Sequence, residues 1–145
     1  MKLLFWPLAI ALWIGCLYLI WDLIRRVFRL TRGLKPLRIY IAGPYSVGDP
    51  AANTLTAITE ADKLLNAGYY PFIPHLSHYH HAILPHDYET WMELDFEYLA
   101  VCDVLIRLPG ESPGADREVT LAKQRGIPVF YGVEAFLEVH GERRA

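Results

Sequence analysis

Residues 105–130, LIRLPGESPGADREVTLAKQRGIPVF, decide the fold, because they read in turn as a strand, a loop, a helix and a second strand. The loop, residues 109–114, contains two glycines, two prolines and Ser112. A loop of this kind that opens a helix presents backbone N–H groups and the positive end of the helix dipole to a ligand. The stretch therefore predicts a β-α-β unit and, around Ser112 and Gly114, a binding place for an anionic group such as a phosphate.

The chain after residue 36 repeats this alternation of short apolar runs and helical patterns. Asp49 is a suitable N-cap, and Pro50 a suitable first residue, for one of the helices. Strands that alternate with helices form parallel sheets with helices on both faces. We therefore predict an α/β protein with a doubly wound parallel sheet of four to five strands, flavodoxin-like or Rossmann-like. The predicted strands are 37–42, 69–73, 102–108 and 127–131, and the predicted helices are 50–67, 88–101, 114–125 and 134–139.

An uncharged run of 19 residues, 3–21, precedes this domain. At about 1.5 Å per residue, a helix of that length crosses a hydrocarbon core of roughly 30 Å. Five Arg and Lys side chains in residues 25–35 follow the run, and such a cluster favours the cytosolic side. We therefore predict a single-pass membrane protein with a transmembrane helix in residues 1–24, a basic juxtamembrane linker in residues 25–36 and a cytosolic domain in residues 37–145.

A cleaved signal peptide is the alternative interpretation of the N-terminal run. Its apolar part would span about 7–15 residues and would follow a basic segment. Here the apolar part is longer and the basic cluster comes after it, which favours a membrane anchor with the lipid bilayer as a partner. The two cysteines, Cys16 and Cys102, lie in dissimilar contexts, which indicates a reducing compartment for the domain and no disulfide framework.

Charge is divided unevenly along the chain. Residues 1–36 carry six basic and one acidic side chain, a net charge of +5, whereas residues 37–145 carry eight basic and fifteen acidic side chains, a net charge of −7. Proteins that bind nucleic-acid polymers take most of their affinity from Lys and Arg on phosphates. The acidic domain is therefore expected to bind a small molecule and no nucleic acid polymer.

Three unusual loops follow the predicted strands. Gly43, Pro44, Tyr45 and Ser46 follow the first strand, a histidine-rich segment at 74–88 follows the second, and the loop 109–114 follows the third. Ligands of open α/β sheets bind beyond the carboxyl ends of the strands, at one edge of the sheet. We therefore expect the ligand site where these three loops meet.

Two carboxylates are candidate catalytic groups. Asp95 lies within the predicted apolar stripe of the helix 88–101, and Glu118 lies a turn inside the helix that follows the loop 109–114. Paired carboxylates in different environments can divide the work of nucleophile and general acid. Glu118 would then be ionised, while burial would raise the pKa of Asp95. The structural alternatives are a buried Asp bonded to a loop and a solvated Glu near a helix N-terminus. The stripe consists of Trp91, Leu94, Tyr98, Leu99 and Cys102.

Three segments, LRIYIAGPYS (37–46), DFEYLAVCDVLI (95–106) and SPGADREVTLAKQRGIPV (112–129), resemble known motifs. Their order and spacing are similar to those of the nucleoside 2-deoxyribosyltransferase-like superfamily, which includes 2′-deoxynucleoside 5′-phosphate N-hydrolases and related nucleotide N-glycosidases. By position, Glu118 matches the family's glutamate nucleophile, Asp95 its catalytic aspartate, and Ser112 the serine of phosphate-recognising members. Gly43, Pro44 and Tyr45 fall on the loop that lines the sugar and base pocket.

The resemblance implies retaining chemistry at an N-glycosidic bond of a nucleoside or nucleotide, without a cofactor or metal. It also implies a homodimer or higher homo-oligomer, because the family's transferases complete the pocket with polar residues from a neighbouring subunit's C-terminus. Those residues have no match in the C-terminal EVHGERRA (138–145), so hydrolysis is favoured over transfer to a second base. The membrane anchor is no part of the family pattern.

The histidines of residues 74–88 invite a metal interpretation, since imidazoles are common zinc ligands. Their spacing, H-x-x-H-x-H-H, fits no structural zinc pattern, and no cysteine lies nearby. We expect His75, and one other of them at most, to line the base or phosphate pocket. Tyr79 and Trp91 are open to two interpretations, base stacking and core packing.

Two classes of function follow. The first is an N-glycosidase that hydrolyses the base–sugar bond, with deoxyribosyl transfer as its variant. The second is a non-catalytic nucleotide-binding module tethered to the membrane for signalling. The carboxylate pair favours the enzyme, since a sensor has little need of two carboxylates at one site.

Overall fold

The computed structural model describes residue 13, residues 17–26 and residues 36–143. The chain divides into two compact units, Met1–Lys35 and Pro36–Ala145. In the first unit, the described residues are helical. Within the described part of the chain, no helix combines the length and the apolar character needed to cross a membrane. The predicted anchor lies largely outside the described residues and stays a prediction.

The second unit is built on a four-stranded parallel sheet. Its strands lie in the spatial order β2-β1-β3-β4, so the two central strands are β1 and β3. Tyr40 of β1 lies opposite Phe72 of β2 on one side and opposite Leu105 of β3 on the other. The parallel α/β class predicted from the sequence is confirmed, with four strands. The strands are β1 (Arg38–Ala42), β2 (Tyr70–Phe72), β3 (Val104–Arg107) and β4 (Val129–Tyr131).

Five helices surround this sheet, and most begin with a side-chain cap. The Asp49 carboxylate accepts a hydrogen bond from Ala51 N at 2.9 Å, as expected for the predicted N-cap, with Pro50 as the first helical residue. Asp87 and Ser112 cap two further helices in the same way. The helices are α1 (Pro50–Asn66), α2 (Ser77–Ile83), α3 (Tyr88–Ala100), α4 (Pro113–Gln124) and α5 (Val133–His140), and a short 3₁₀ turn spans Pro74–Leu76.

Successive residues of β1 point to opposite faces of the sheet, which gives two apolar layers. Ile39 and Ile41 pack in a cluster with residues of α1 and α5. Tyr40 and Ala42 pack in a second cluster with residues of α3 and α4. Helices therefore cover both faces of the sheet, as the doubly wound prediction requires.

Two local predictions are wrong. The histidine-rich segment is not a plain loop, because the 3₁₀ turn and α2 occupy its first ten residues. No Gly interrupts residues 75–84 and no Pro occurs there either, so nothing prevents helical turns. The apolar stripe of α3 is also rotated: Met92 and Leu99 are buried, whereas Leu94 and Tyr98 are 43% and 45% exposed. The helix carries apolar residues on several faces, so the sequence pattern alone did not fix its buried side.

Candidate active site

A cavity of about 490 Å³ opens beyond the carboxyl ends of β1 and β3. The chain continues from β1 to β2 on one side of β1, whereas β3 lies on the other side of β1 and continues outward to β4. The loops that leave β1 and β3 therefore diverge and leave a crevice between them, as at the switch point of other doubly wound sheets. The lining includes Gly43, Tyr45, Ser46, His75, Asp95, Ser112, Gly114 and Glu118, which are all of the predicted site residues except Pro44.

The loop after β1 lies tightly against its neighbours. A Cβ at Gly43 would lie 3.3 Å from Leu108 and 3.4 Å from the His75 Nε2, so a larger side chain has little room. Pro44 contributes through its backbone, because its carbonyl accepts a hydrogen bond from the His75 Nε2 at 3.0 Å. That bond places the ring proton on Nε2. Burial of the ring lowers the pKa of His75, so the imidazole is held neutral.

The loop after β3 is organised by a buried arginine. The guanidinium of Arg107 donates to the carbonyl oxygens of Leu108 and Gly110, and its Nη2 lies 3.0 Å from the Asp116 carboxylate in the first turn of α4. Gly110 has a φ of +109°, and a Cβ there would lie 2.8 Å from the Pro44 ring. The left-handed backbone and the close approach both require glycine at this position.

Ser112 ties the two loops together. Its hydroxyl donates to the Gly43 carbonyl at 3.2 Å and accepts a hydrogen bond from Ala115 N at 3.2 Å. The side chain is both an N-cap of α4 and a bridge to the loop after β1. Ser112 lines the cavity as predicted, while its suggested role in phosphate binding stays a prediction.

Glu118 is buried at 5% exposure, on the same face of α4 as the buried Ala115, Val119 and Ala122. Tyr40, from the middle of β1, donates its hydroxyl to the Glu118 Oε1 at 2.6 Å. Burial, followed by the charges of Glu118 and Asp95, raises the pKa of Tyr40 well above its ordinary value, so the hydroxyl keeps its proton. Glu118 is therefore a buried carboxyl group at the edge of the cavity, with Tyr40 as its hydrogen-bond donor. It is not the solvent-exposed helix residue that was the alternative interpretation of the sequence.

Asp95 projects from α3 into the same cavity, half-buried. It belongs to a helix that packs against α4, which carries Glu118. A bidentate ion pair between Arg117 and Glu89, with N–O distances of 2.9 and 2.8 Å, joins the two helices near their N-terminal ends. The two candidate carboxylates are therefore presented by neighbouring helices to one space.

Burial raises the pKa of both carboxyl groups. The pKa of Asp95 rises to about 7 through desolvation, as expected from the sequence. The pKa of Glu118 rises to about 8, because burial outweighs the opposing hydrogen bond from Tyr40, and the charge of Asp95 adds to the rise. The expectation that only the pKa of Asp95 is raised is thus wrong, because Glu118 is also buried on the inward face of α4.

Two carboxyl groups that interact in this way titrate as a pair, and the pair holds one proton around neutral pH. The pKa of Glu118, about 8, exceeds that of Asp95, about 7, so burial favours the proton on Glu118. The hydrogen bond from Tyr40 favours the opposite division, with the charge on Glu118 and the proton on Asp95. A nucleophile and a general acid require this division.

The histidine-rich segment contributes more to the cavity than predicted. His78, His81 and His86 line it together with His75, and so does Trp91, while Tyr79 is 62% exposed and does not line it. Among the described residues, no group of three or more His, Cys, Asp or Glu side chains is placed to hold a metal ion.

Tyr40 is the functional candidate that sequence reasoning missed. Its position in the apolar run 38–42 made it look like an ordinary core aromatic, and it is indeed fully buried. The available signal was the hydroxyl itself, since a buried tyrosine usually finds a hydrogen-bond partner. The partner is 78 residues away in the sequence, so only the fold identifies it.

The fold and the site define an α/β domain with a cavity that is lined by the buried Glu118 and the half-buried Asp95. A family model described as "Domain of unknown function (DUF4406)" matches residues 37–131, and the chain belongs to this family. The solved structure of a 2-deoxyribosyltransferase from the psychrotolerant bacterium Bacillus psychrosaccharolyticus is similar, with 21% identity and a TM-score of 0.46 over 63% of this chain and 69% of that one. No curated protein matches the chain at a significant level.

Proposed function

We propose that this protein is an N-glycosidase that hydrolyses the base–sugar bond of a nucleoside or nucleoside 5′-phosphate. The observation that carries the proposal is the carboxylate pair in the cavity, in which Glu118 is buried and hydrogen-bonded to Tyr40 and Asp95 is held close enough to raise the pKa of Glu118. The motif resemblance supports the same assignment, because both carboxylates fall on the catalytic positions of that superfamily.

In the proposed reaction, Glu118 attacks C1′ of the sugar while the C1′–N bond to the base breaks. The bonding electrons leave with the base, and Asp95 donates its proton to it. The transition state carries oxocarbenium-like positive charge, which the anionic Glu118 stabilises. Water then attacks C1′ of the glycosyl-enzyme, gives a proton to Asp95 and releases Glu118, so each turnover consumes one water and yields a free base and the sugar, or the sugar 5-phosphate when the substrate is a nucleoside 5′-phosphate.

Water is the proposed acceptor because the polar C-terminal residues with which the family's transferases complete a neighbouring pocket have no match in residues 138–145. Tyr69 donates its hydroxyl to the Gly141 carbonyl at 2.7 Å, and Arg143 N donates to the Ala67 carbonyl at 2.8 Å. Ala67 and Tyr69 precede β2, so these bonds hold the C-terminal residues at the amino edge of the sheet, opposite the cavity. Residues 141–143 therefore supply no contact to the cavity of their own subunit.

Incubation of the purified full chain with a panel of ribo- and 2′-deoxyribonucleosides and their 5′-monophosphates tests this function. We expect free base to appear from at least one member, as measured by chromatography. A second, labelled base added to the mixture distinguishes the two reactions, since transfer would build the label into a new nucleoside and hydrolysis would not. Tight binding without release of any base would instead favour the sensor.

Tyr40→Phe should lower turnover by about tenfold or more, because it removes a buried hydrogen bond to a charged group. The hydrogen bond from Tyr40 lowers the pKa of Glu118, so its loss raises that pKa further. Glu118 then becomes protonated at a higher pH, and the acid limb of the pH–rate profile should move upward. The profile of kcat from pH 5 to pH 10 measures this shift. Tyr79→Phe is the matched control, since Tyr79 is 62% exposed. An unmoved acid limb in Tyr40→Phe would remove Tyr40 from the mechanism.

A further inference from the structure

The cavity has an imidazole-rich wall that the proposed reaction does not use. It consists of His78 and His81 from α2 and His86 from the segment before α3, which we term the histidine rim. His78 and His81 are half-buried and His86 is exposed, so the rim lies nearer to solvent than Glu118 does. His80, on the same helix, is exposed and does not line the cavity.

The hydrogen bonds of the rim determine which ring nitrogens are donors. The indole Nε1–H of Trp91 donates to the His81 Nδ1 at 2.9 Å, and the backbone N of His86 lies 3.4 Å from the same atom. Because indole N–H is only a donor, the His81 Nδ1 must be an acceptor, and the ring proton lies on Nε2. The hydroxyl of Tyr45 lies 3.0 Å from the His78 Nδ1, and when it donates there His78 also keeps its proton on Nε2.

The N-terminus of α4, the other candidate place for an anion, has few donors left. Pro113 has no N–H, and the N–H groups of Ala115 and Asp116 are bonded to the side chain and the carbonyl of Ser112. The single hydroxyl proton of Ser112 is donated to the Gly43 carbonyl. An anion that used Ser112 or the N–H groups of Ala115 and Asp116 would have to displace these bonds, which leaves Gly114 as the remaining backbone donor of that turn.

Charge also separates the two ends of the cavity. Among the described residues that line it, none is Lys or Arg, and the acidic members are Asp95 and Glu118. An oxyanion beside these carboxylates is repelled when either is ionised. Trp91, the anchor of His81, precedes Asp95 by four residues on α3, which is a rise of roughly 6 Å along the helix axis. The rim therefore offers N–H donors in the same cavity as the carboxylates, about one helical turn of α3 away from Asp95.

We propose that the histidine rim binds the 5′-phosphate of a nucleotide, with the Nε2–H groups of His78 and His81 as donors to the phosphate oxygens. This inference rests on the proposed function, because it places C1′ at the carboxylates and the phosphate across the sugar from them. It makes nucleoside 5′-monophosphates, rather than nucleosides, the preferred substrates.

Binding to the full chain carrying Glu118→Gln tests the rim without turnover. Each of the four common 2′-deoxynucleosides and its 5′-monophosphate is titrated by calorimetry, and the ratio of the two Kd values is compared among variants. His81→Phe keeps an aromatic ring beside Trp91 but removes both nitrogens, and His81→Gln restores an amide donor. His80→Phe is the matched control, since His80 also contacts Trp91, with ring centroids 5.1 Å apart, but lies outside the cavity lining.

We expect the parent to prefer the monophosphate, His81→Phe to reduce that preference about tenfold, as for loss of a hydrogen bond to a charged group, and His81→Gln to recover most of it. His80→Phe should leave it unchanged. Equal weakening of nucleoside and monophosphate by His81→Phe would overturn the proposal in favour of a base or sugar contact. Loss of the preference in Ser112→Ala, with His81→Phe unaffected, would place the phosphate at α4 instead. These binding ratios are measured whether or not the wild type releases base, so the rim and the proposed reaction fail separately.

Discussion

Replacing Glu118 by Gln should reduce base release by about three orders of magnitude or more, because the amide cannot form the covalent bond to C1′. The change preserves size and shape, so the cavity should remain intact. Nucleotide affinity should change little, since the amide oxygen can still accept the hydroxyl hydrogen bond of Tyr40, which is 2.6 Å long in the wild type. Single-turnover base release and a separate binding titration measure the two effects independently.

The stability of Glu118→Gln provides a check that the variant is folded. The pKa of Glu118 is about 8 in the folded chain against an ordinary value of 4.5, so the folded state binds more protons than the unfolded state between these values. Wild-type stability therefore falls as the pH rises through that window. Gln has no such titration, so the variant should be more stable than wild type at pH 8, by on the order of 1–3 kcal/mol. This gain should disappear below pH 4.5, as thermal unfolding at both pH values would show.

Glu111→Gln is the matched control for this substitution, because Glu111 is an exposed residue of the loop before α4 and does not line the cavity. It should leave both turnover and the pH dependence of stability unchanged. A folded Glu118→Gln protein with wild-type turnover would eliminate the nucleophile. Loss of turnover accompanied by equal loss of binding would indicate that Glu118 holds the ligand and does not attack it.

The fold was predictable because its signals are local. The strand β1 reads as a continuous apolar run, and the adjacent residues Asp49 and Pro50 mark the start of α1. The positions of the site loops followed from topology, since parallel strands present their carboxyl ends at one edge. Asp95 was recognisable as a candidate site residue because it is a charged side chain within an apolar helical pattern. The buried face of that helix was nevertheless predicted incorrectly.

The parts that could not be predicted depend on contacts distant in sequence. Burial of Glu118 results from packing of α4 on the sheet, and its partner Tyr40 belongs to the central strand β1, 78 residues earlier in the sequence. The bridge from Ser112 to Gly43 likewise joins residues 69 positions apart. Neither periodicity nor composition encodes such pairs. The Tyr40–Glu118 bond affects the pKa of Glu118, and the Ser112–Gly43 bond affects the geometry of the site. The prediction of a loop for the histidine-rich segment was wrong for a related reason, because the helix α2 within it packs against α1.

Replacing Asp95 by Asn should reduce turnover by about 10²–10⁴-fold for substrates with ordinary bases, which must gain a proton as they leave. The pKa of Asp95 is about 7, so the wild-type group can hold that proton near neutral pH, and Asn cannot donate one of comparable acidity. The loss should be much smaller for a 7-methylguanine nucleotide, whose base already carries positive charge and departs without protonation. Steady-state kcat/KM for the two substrates measures the difference.

This dependence on the leaving group is what separates a general acid from a residue that only shapes the cavity. A structural Asp95 would affect both substrates alike, and so would a fault in folding, so equal losses for the two would contradict the assignment. Glu93→Gln serves as the control, because Glu93 is exposed on the same helix and does not line the cavity. The alkaline limb of the kcat profile gives a second, independent test. Loss of the Asp95 proton should produce that limb in wild type, and it should be absent from Asp95→Asn if residual turnover no longer depends on proton donation at this position.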